Sequence, residues 1–178
     1  MWPIFKKFFG DDGMAALEAG KQAPQFELPA MDGSTFSLQE ALSRGPVLAV
    51  FFKISCPVCH YALPYFERVY QTYGKGNMRI IGISQNEKKD TAEFMKKYGL
   101  SFPMVLDDTK TYPASNAYGL TNVPSAFWIS QSGEIEISSV GWSRKDFEEI
   151  VKKAASANGQ APRPVFQPAE QIADFRAG

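Results

Sequence analysis

Hydrophobic positions along the chain alternate between short strand-like runs and helix-like stripes. Residues 47–52 are apolar without interruption, which predicts a strand buried on both faces at the centre of a sheet. In residues 57–73, apolar side chains recur every three or four positions after an initial proline, which predicts a helix that packs through one face. A strand over 78–84 and a helix over 90–98 follow. This alternation predicts an α/β domain.

Shorter segments before the central strand predict a hairpin and a helix. Residues 26–29 and 35–37 flank an Asp-Gly turn, which predicts an N-terminal hairpin. Ser37 and Glu40 have the spacing of a capping box, in which each side chain satisfies a free N–H at a helix start. We therefore expect a short helix directly after the hairpin.

The second half of the chain predicts the remaining strands and a covering helix. Residues 102–106 predict a short edge segment, and residues 112–118 predict a small helical piece. Residues 125–130 and 134–139 surround a Gln-Ser-Gly turn, which predicts an antiparallel hairpin. Ser143 opens the last predicted helix. Its apolar stripe consists of Phe147, Ile150, Val151, Ala154 and Ala155.

Residues 1–22 are predicted to be an N-terminal extension. Trp2, Phe5 and Phe9 fall at helical spacing with two lysines on another face. This pattern predicts either a helical turn packed on the domain or on a partner, or an amphipathic helix that touches a membrane surface through residues 1–10. The segment lacks the unbroken apolar run of a secretory signal, and no run is long enough to span a bilayer. We therefore expect a cytoplasmic protein.

Residues 23–158 are predicted to form one domain, because a chain of 178 residues with 44% hydrophobic residues makes one core. Residues 159–178 contain a polar stretch with three prolines before Ile172 and Phe175, so we expect a C-terminal extension that a few apolar residues anchor. Nineteen basic residues balance nineteen acidic ones. The chain therefore has no general positive field for a nucleic acid, and we expect no such partner.

The two cysteines of the chain, Cys56 and Cys59, lie where the central predicted strand gives way to a helix. Unpaired N–H groups and the helix dipole favour negative charge at a helix start, so we expect Cys56 to be the nucleophilic thiolate. Cys59 lies one turn deeper on the same face, within reach of a mixed disulfide at Cys56. Pro57 suits the first helical position and stiffens the loop between the sulfurs. The pattern predicts thiol–disulfide chemistry.

Other chemistries at these residues stay open. Cys56, Cys59 and His60 match the attachment pattern of a c-type haem, in which His60 is the axial ligand. A zinc site on the same three residues lacks a fourth ligand, so we expect no metal. His60 either leans toward the Cys56 thiolate or lies in solvent on the helix flank. Lys53 either raises the local positive potential or points to water.

The Cys56-x-x-Cys59 motif, with Pro64 after it and Val123-Pro124 before an apolar strand, resembles the thioredoxin superfamily. The similarity is to its redoxin branch, which contains alkyl hydroperoxide reductase and thiol-specific antioxidant proteins and thioredoxin-like disulfide reductases. It extends over roughly residues 23–155 and includes a redoxin-like opening, Ala-Pro-Gln-Phe followed by Leu-Pro and Asp-Gly. The resemblance implies a thioredoxin-like fold with a central mixed β-sheet flanked by helices. It also implies a helix kink at Pro64 and a cis peptide before Pro124 that presents the Val123 main chain to an extended substrate.

The sequence departs from the family at several positions. Ser55 replaces the tryptophan of thioredoxins, and Val50 and Ala62 stand where thioredoxins or some bacterial thioredoxin-like reductases carry acidic residues. The base for Cys59 is therefore unassigned. Lys53 stands where peroxiredoxins place a threonine or serine that orients the peroxide. The peroxide pocket is therefore expected to be absent, although a thiolate still attacks peroxide slowly.

We predict a thiol–disulfide oxidoreductase in which Cys56 attacks and Cys59 resolves. The residues expected to bind substrate beside them are Pro57, Val58, Val123 and Pro124. A thiol-dependent peroxidase is the alternative, and a c-type haem protein is a minor one. We expect no cofactor other than the redox-active Cys56–Cys59 disulfide. The expected partners are a protein or small-molecule disulfide and a second thiol that reduces or oxidises the enzyme.

Overall fold

The computed structural model describes residues 15–178, so the predicted helix at Trp2, Phe5 and Phe9 lies outside the described residues. The strands of this part are β1 (Glu27–Pro29), β2 (Thr35–Ser37), β3 (Val47–Phe52), β4 (Arg79–Ser84), β5 (Met104–Leu106), β6 (Ser125–Ile129), β7 (Ile135–Val140), β8 (Trp142–Ser143) and β9 (Phe175–Arg176). Its helices are α1 (Leu38–Leu42), α2 (Pro57–Tyr73), α3 (Lys88–Tyr98), α4 (Pro113–Ala117) and α5 (Arg144–Ala157). No helix within residues 15–178 is long and apolar enough to cross a bilayer.

The central sheet is mixed, and β3 lies in its middle. The strand order is β5-β4-β3-β6-β7. Strand β3 pairs parallel with β4 and antiparallel with β6, while β5 runs parallel to β4 and β7 antiparallel to β6. The predicted central strand, edge segment and C-terminal hairpin are confirmed. The fold is thioredoxin-like, with a mixed sheet and helices on both faces.

The sheet separates two hydrophobic cores, because successive side chains of a strand point to opposite faces. The side chains of β3 that pack with α2, α3 and α5 are Leu48, Val50 and Phe52. The side chains that pack with α1, α4 and the β1–β2 hairpin are Val47, Ala49 and Phe51. All six are completely buried, which explains the uninterrupted apolar run in the sequence.

The predicted hairpin and the helix after it are confirmed, but the capping box is only half formed. Strands β1 and β2 pair antiparallel around the Asp-Gly turn. The Ser37 hydroxyl accepts the Glu40 N–H at 3.3 Å, so Ser37 caps α1. The Glu40 carboxylate instead pairs with Arg44 at 3.2 Å, because the two side chains lie one helical turn apart.

The two longer helices outside the cysteine region follow their apolar stripes. Ser143 caps α5 by accepting the Asp146 N–H at 3.2 Å, and the whole predicted stripe of this helix is buried. Helix α3 begins at Lys88, two residues before its predicted start. The first turn of α3 consists of charged, exposed residues, so the spacing of apolar residues in the sequence does not indicate where the helix begins. Pro64 lies inside the continuous helix α2, and the kink there stays a prediction.

Residues 159–178 fold back onto the domain. Phe166 packs against the rings of Tyr65, Trp142 and Phe147, with centroids 5.5, 6.4 and 5.4 Å away. Ile172 also packs on the core, whereas the side chain of Phe175 is 63% exposed. Phe175 belongs to a two-residue strand, β9, that pairs only with β8, so its side chain meets no second layer.

Candidate active site

Cys56 is the N-cap residue of α2. The chain leaves the buried strand β3 at Phe52, and Cys56 adopts an extended conformation before the helix begins at Pro57. The Cys56 sulfur accepts the Cys59 N–H at 3.3 Å, as a serine or aspartate oxygen does at other helix starts. Pro57 occupies the first helical turn, where a missing N–H costs nothing. The local sequence thus places a sulfur at the positive end of a 17-residue helix.

The two cysteines are free thiols in very different surroundings. Cys56 is partly exposed, whereas Cys59 is completely buried. Burial raises the pKa of Cys59 far above its ordinary value of 9.0, and a main-chain hydrogen bond from Lys53 opposes this effect only in part. At neutral pH, Cys59 is therefore a protonated thiol beneath an accessible one.

Val123 lies across the site from α2. The Val123–Pro124 peptide is cis, as the family resemblance implies, and Pro124 is buried directly before β6. The Cys56 thiol donates to the Val123 carbonyl oxygen at 3.2 Å. Pro57 is exposed and Val58 is partly buried on the first turn of α2. The fold therefore brings Val123 to Cys56 and leaves Pro57 and Val58 on the helix end beside it.

Ile54, two residues before Cys56, is held on both sides of its main chain. Its N–H donates to Asn86 Oδ1 at 2.9 Å, and its carbonyl oxygen accepts a hydrogen bond from His60 Nε2. The His60 ring packs between Phe94 and Tyr98, with centroids 5.4 and 5.2 Å away. Its nitrogen is thus engaged with a carbonyl, instead of the Cys56 thiolate or solvent.

Sequence reasoning missed Asn86, although one signal was available. Asn86 comes just after β4 ends at Ser84, and β4 is the parallel neighbour of β3. Side chains that follow the carboxyl ends of neighbouring parallel strands meet at one edge of the sheet. That rule places Asn86 beside the loop that follows β3.

A cavity of about 380 Å³ opens beside Cys56. Lys53 and Cys56 form one side of it, Gln85 lies at the end of β4, and residues 120–123 form another side. Gly178 completes the lining, although it is 122 positions from Cys56 in the sequence. Lys53 lines this cavity and is exposed to solvent.

Neither of the two family positions that carry acidic residues supplies a carboxylate beside Cys59. Val50 and Ala62, where the family carries acidic residues, are completely buried in the same apolar cluster as Cys59. Within residues 15–178, no group of three metal-ligating side chains is present. A haem thioether at Cys59 would require the start of α2 to unfold, because the sulfur has no exposed surface. The burial of Cys59 therefore disfavours a c-type haem.

The chain is similar to known disulfide-exchange proteins over most of its length. It matches the AhpC/TSA family over residues 19–138. It is 32% identical over 159 residues to thiol-disulfide oxidoreductase ResA of Halalkalibacterium halodurans, covering 86% of this chain and 88% of that protein. A thiol:disulfide interchange protein of the thioredoxin family from Chlorobium tepidum superposes with a TM-score of 0.64 at 29% identity, over 79% of this chain and 99% of that one.

A second solved structure shows the same fold. The thiol-disulfide oxidoreductase of Bacteroides fragilis superposes with a TM-score of 0.66 at 24% identity, over 75% of this chain and 98% of that one. The family match, the curated relative and the dithiol at the start of α2 agree with one another. The chain belongs to the AhpC/TSA family, within the redoxin branch of the thioredoxin superfamily, and it is a thiol–disulfide oxidoreductase.

Proposed function

We propose that the protein exchanges disulfides with Cys56 as the attacking thiolate and Cys59 as the resolving thiol. One observation carries this assignment. The Cys56 sulfur caps α2 with a partly exposed surface, while Cys59 is completely buried one turn below it. Only Cys56 is therefore open to a substrate disulfide. The N–H of Cys59 and the helix start stabilise negative charge on its sulfur.

The exchange transfers two electrons and two protons to the substrate. The Cys56 thiolate attacks one sulfur of the substrate disulfide, which forms a mixed disulfide and releases the other sulfur as a thiolate that takes up a proton. The Cys59 sulfur then attacks Cys56 Sγ. Its proton passes to the second substrate sulfur as that sulfur leaves. The products are a substrate dithiol and a Cys56–Cys59 disulfide, and the same steps in reverse oxidise a dithiol.

The Val123 carbonyl is proposed to change partners during the reaction. In the resting dithiol it accepts the Cys56 thiol proton at 3.2 Å. Ionisation of Cys56 removes that donor, and an N–H of an extended substrate main chain then takes its place on the carbonyl. Pro124 on the same side, and Pro57 and Val58 on the helix end, are the proposed walls of this binding surface.

The second chemical step is proposed to limit turnover. Attack by Cys59 requires its thiolate, and burial raises the pKa of that thiol well above neutral pH. Its neighbours Val50 and Ala62 supply no base. A mixed disulfide at Cys56 should therefore accumulate before Cys59 releases it.

Single-turnover reduction of insulin disulfides tests this assignment. We expect Cys56→Ser to abolish reduction and Cys59→Ser to stop at a mixed disulfide at Cys56, which intact-mass spectrometry detects. Ser55→Ala, at an exposed neighbouring position, is the matched control and should react like the wild type. Reduction that survives Cys56→Ser would overturn the role of Cys56, and consumption of hydrogen peroxide faster than insulin would favour the peroxidase alternative. The cytoplasm stays the proposed location.

A further inference from the structure

Residues 174–178, which we call the tail, run along one edge of the active site. Strand β9 of the tail pairs antiparallel with β8, so that Trp142 faces Arg176 and Ser143 faces Phe175. The Arg144 N–H donates to the Asp174 carbonyl oxygen at 2.9 Å. The tail thus forms a separate two-stranded sheet with β8, the strand that follows β7 in the chain.

The tail reaches the carbonyl that Cys56 contacts. Gly178 lines the cavity beside Cys56, and its main-chain oxygen accepts a hydrogen bond from Asn122 Nδ2 at 2.8 Å. A Cβ atom added at Gly178 would lie 2.4 Å from the Val123 oxygen. The tail main chain therefore passes the Val123 carbonyl without room for a side chain between them.

Few contacts hold the tail in place. The Arg176 guanidinium lies 3.9 Å from the ring centre of Tyr61. Just before the tail, the Ala173 carbonyl oxygen accepts from Trp142 Nε1 at 2.7 Å, and the Ala173 N–H donates to the Tyr61 hydroxyl at 3.0 Å. All five tail residues remain exposed to solvent. A segment with so little buried surface belongs to the least stable part of a fold and opens readily.

The tail occupies the place beside Val123 that an extended protein substrate would need. A substrate main chain that pairs with Val123 needs the space that Gly178 fills, since two main chains cannot lie against one carbonyl at van der Waals distance. A small disulfide has no extended main chain and needs only the cavity beside Cys56. The tail lies outside residues 19–138, the part that matches the AhpC/TSA family.

We propose that the tail is a specificity-determining segment that competes with protein substrates for the Val123 main chain. Protein disulfides react after the tail is displaced, whereas small disulfides reach Cys56 past it. This inference rests on the proposed function. Only molecules whose tail is displaced bind a protein substrate, so the apparent Kd equals the intrinsic Kd divided by the displaced fraction. Weakening the tail contacts raises that fraction and lowers the KM for protein disulfides.

The test compares two substrates in the full chain. Rates of single-turnover reduction are measured with insulin and with bis(hydroxyethyl) disulfide, and their ratio removes any general effect on the dithiol. Arg176→Ala removes the contact with Tyr61, and Gly178→Val forces the main chain away from Val123. We expect each variant to raise the insulin-to-small-disulfide ratio by about fivefold, because the tail is displaced in a larger fraction of the molecules. Phe175→Ala, at an exposed side chain of the same strand, is the matched control and should keep the wild-type ratio.

A second measurement follows the tail directly. Cys59→Ser is trapped as a mixed disulfide with a ten-residue cysteine peptide, and separately with 2-mercaptoethanol. Hydrogen exchange at Arg176 and its neighbours should accelerate in the peptide adduct alone. An unchanged rate ratio in both tail variants, or a tail equally protected in both adducts, would overturn the proposal. Loss of the small-disulfide reaction in the wild type would instead refute the proposed function, and the tail proposal with it.

Discussion

Replacing Cys59 by alanine should make the stability of the reduced protein less sensitive to alkaline pH. Burial raises the pKa of Cys59 above its ordinary value of 9.0, so the folded state keeps a neutral thiol where the unfolded chain ionises. A group whose pKa is raised on folding contributes stability that is complete below its unfolded-state pKa. That stability is lost as the pH rises from the unfolded-state pKa toward the folded-state pKa. The wild type should therefore lose more stability in alkali than Cys59→Ala does.

The size of this effect follows from the ionisation of the unfolded chain. With an unfolded-state pKa of 9.0, ionisation of Cys59 lowers the free energy of unfolding by about 0.1 kcal/mol at about pH 8 and by about 1.4 kcal/mol at about pH 10. The folded state gives no offsetting gain, because Cys59 has no exposed surface. A urea dependence of about 1–3 kcal/mol per molar converts the loss into a midpoint shift of about 0.5–1.4 M.

Urea unfolding under reducing conditions at the two pH values measures this difference. Cys56→Ala is the matched control, because it removes the outer sulfur and keeps Cys59, so its stability should still fall in alkali. Burial also raises the pKa of Tyr118, but that residue is present in all three proteins, so its effect cancels in the comparison. If the free energy of unfolding of the wild type and of Cys59→Ala changed equally with pH, the burial argument would be refuted. The separate roles proposed for the two thiols would then lose their support.

Three further outcomes are expected. Iodoacetamide should modify Cys56 at least about tenfold faster than Cys59 at neutral pH, because only the outer sulfur is accessible, and equal labelling in a peptide map would contradict this. Asp107→Ala should lower the free energy of unfolding by about 2–4 kcal/mol in urea titrations, because the buried carboxylate accepts two main-chain N–H groups at the start of α4, and a loss below about 1 kcal/mol would contradict this. The Arg68 guanidinium of α2 holds the pKa of Glu170 down to about 2. The stability from this pair is therefore present above the ordinary pKa of 4.5 and is lost as the pH falls toward about 2. Urea unfolding followed by the fluorescence of Trp142 should report that loss in the wild type, and Glu170→Gln should lose less stability over the same pH range.

The sequence predicted the elements whose pattern is local. The uninterrupted apolar run of β3 reflects burial on both faces of the sheet, and the stripe of α5 reflects burial on one face, so the local pattern alone located both. Strand β9 escaped prediction because it is two exposed residues long, and only its pairing with β8 makes it a strand. No period can be detected in so short a segment.

In the site, too, the features with a local sequence pattern were predicted, and those that depend on tertiary contacts were not. The positions of Cys56 and Cys59 follow from a helix start, which the sequence marks with Pro57. The placement of Val123 near Cys56 came from the family resemblance, since sequence spacing does not show which strand lies beside α2. The hydrogen bond from His60 to the Ile54 carbonyl and the arrival of Gly178 in the cavity depend on tertiary contacts. Neither has a local signature.

The three-residue spacing of the cysteines accounts both for the helix-capping position of Cys56 and for the burial of Cys59. An N-cap side chain reaches the N–H of the third helical residue, so the residue whose N–H stabilises the Cys56 sulfur is Cys59 itself. The side chain at that third position points into the face of α2 that packs on the sheet, which buries its sulfur. A shift of Cys59 by one position would turn its side chain by about 100° around the helix. The buried thiol would then leave the core, and the sulfur would lose its place beneath Cys56, so the spacing itself sets which thiol is accessible and which one is buried.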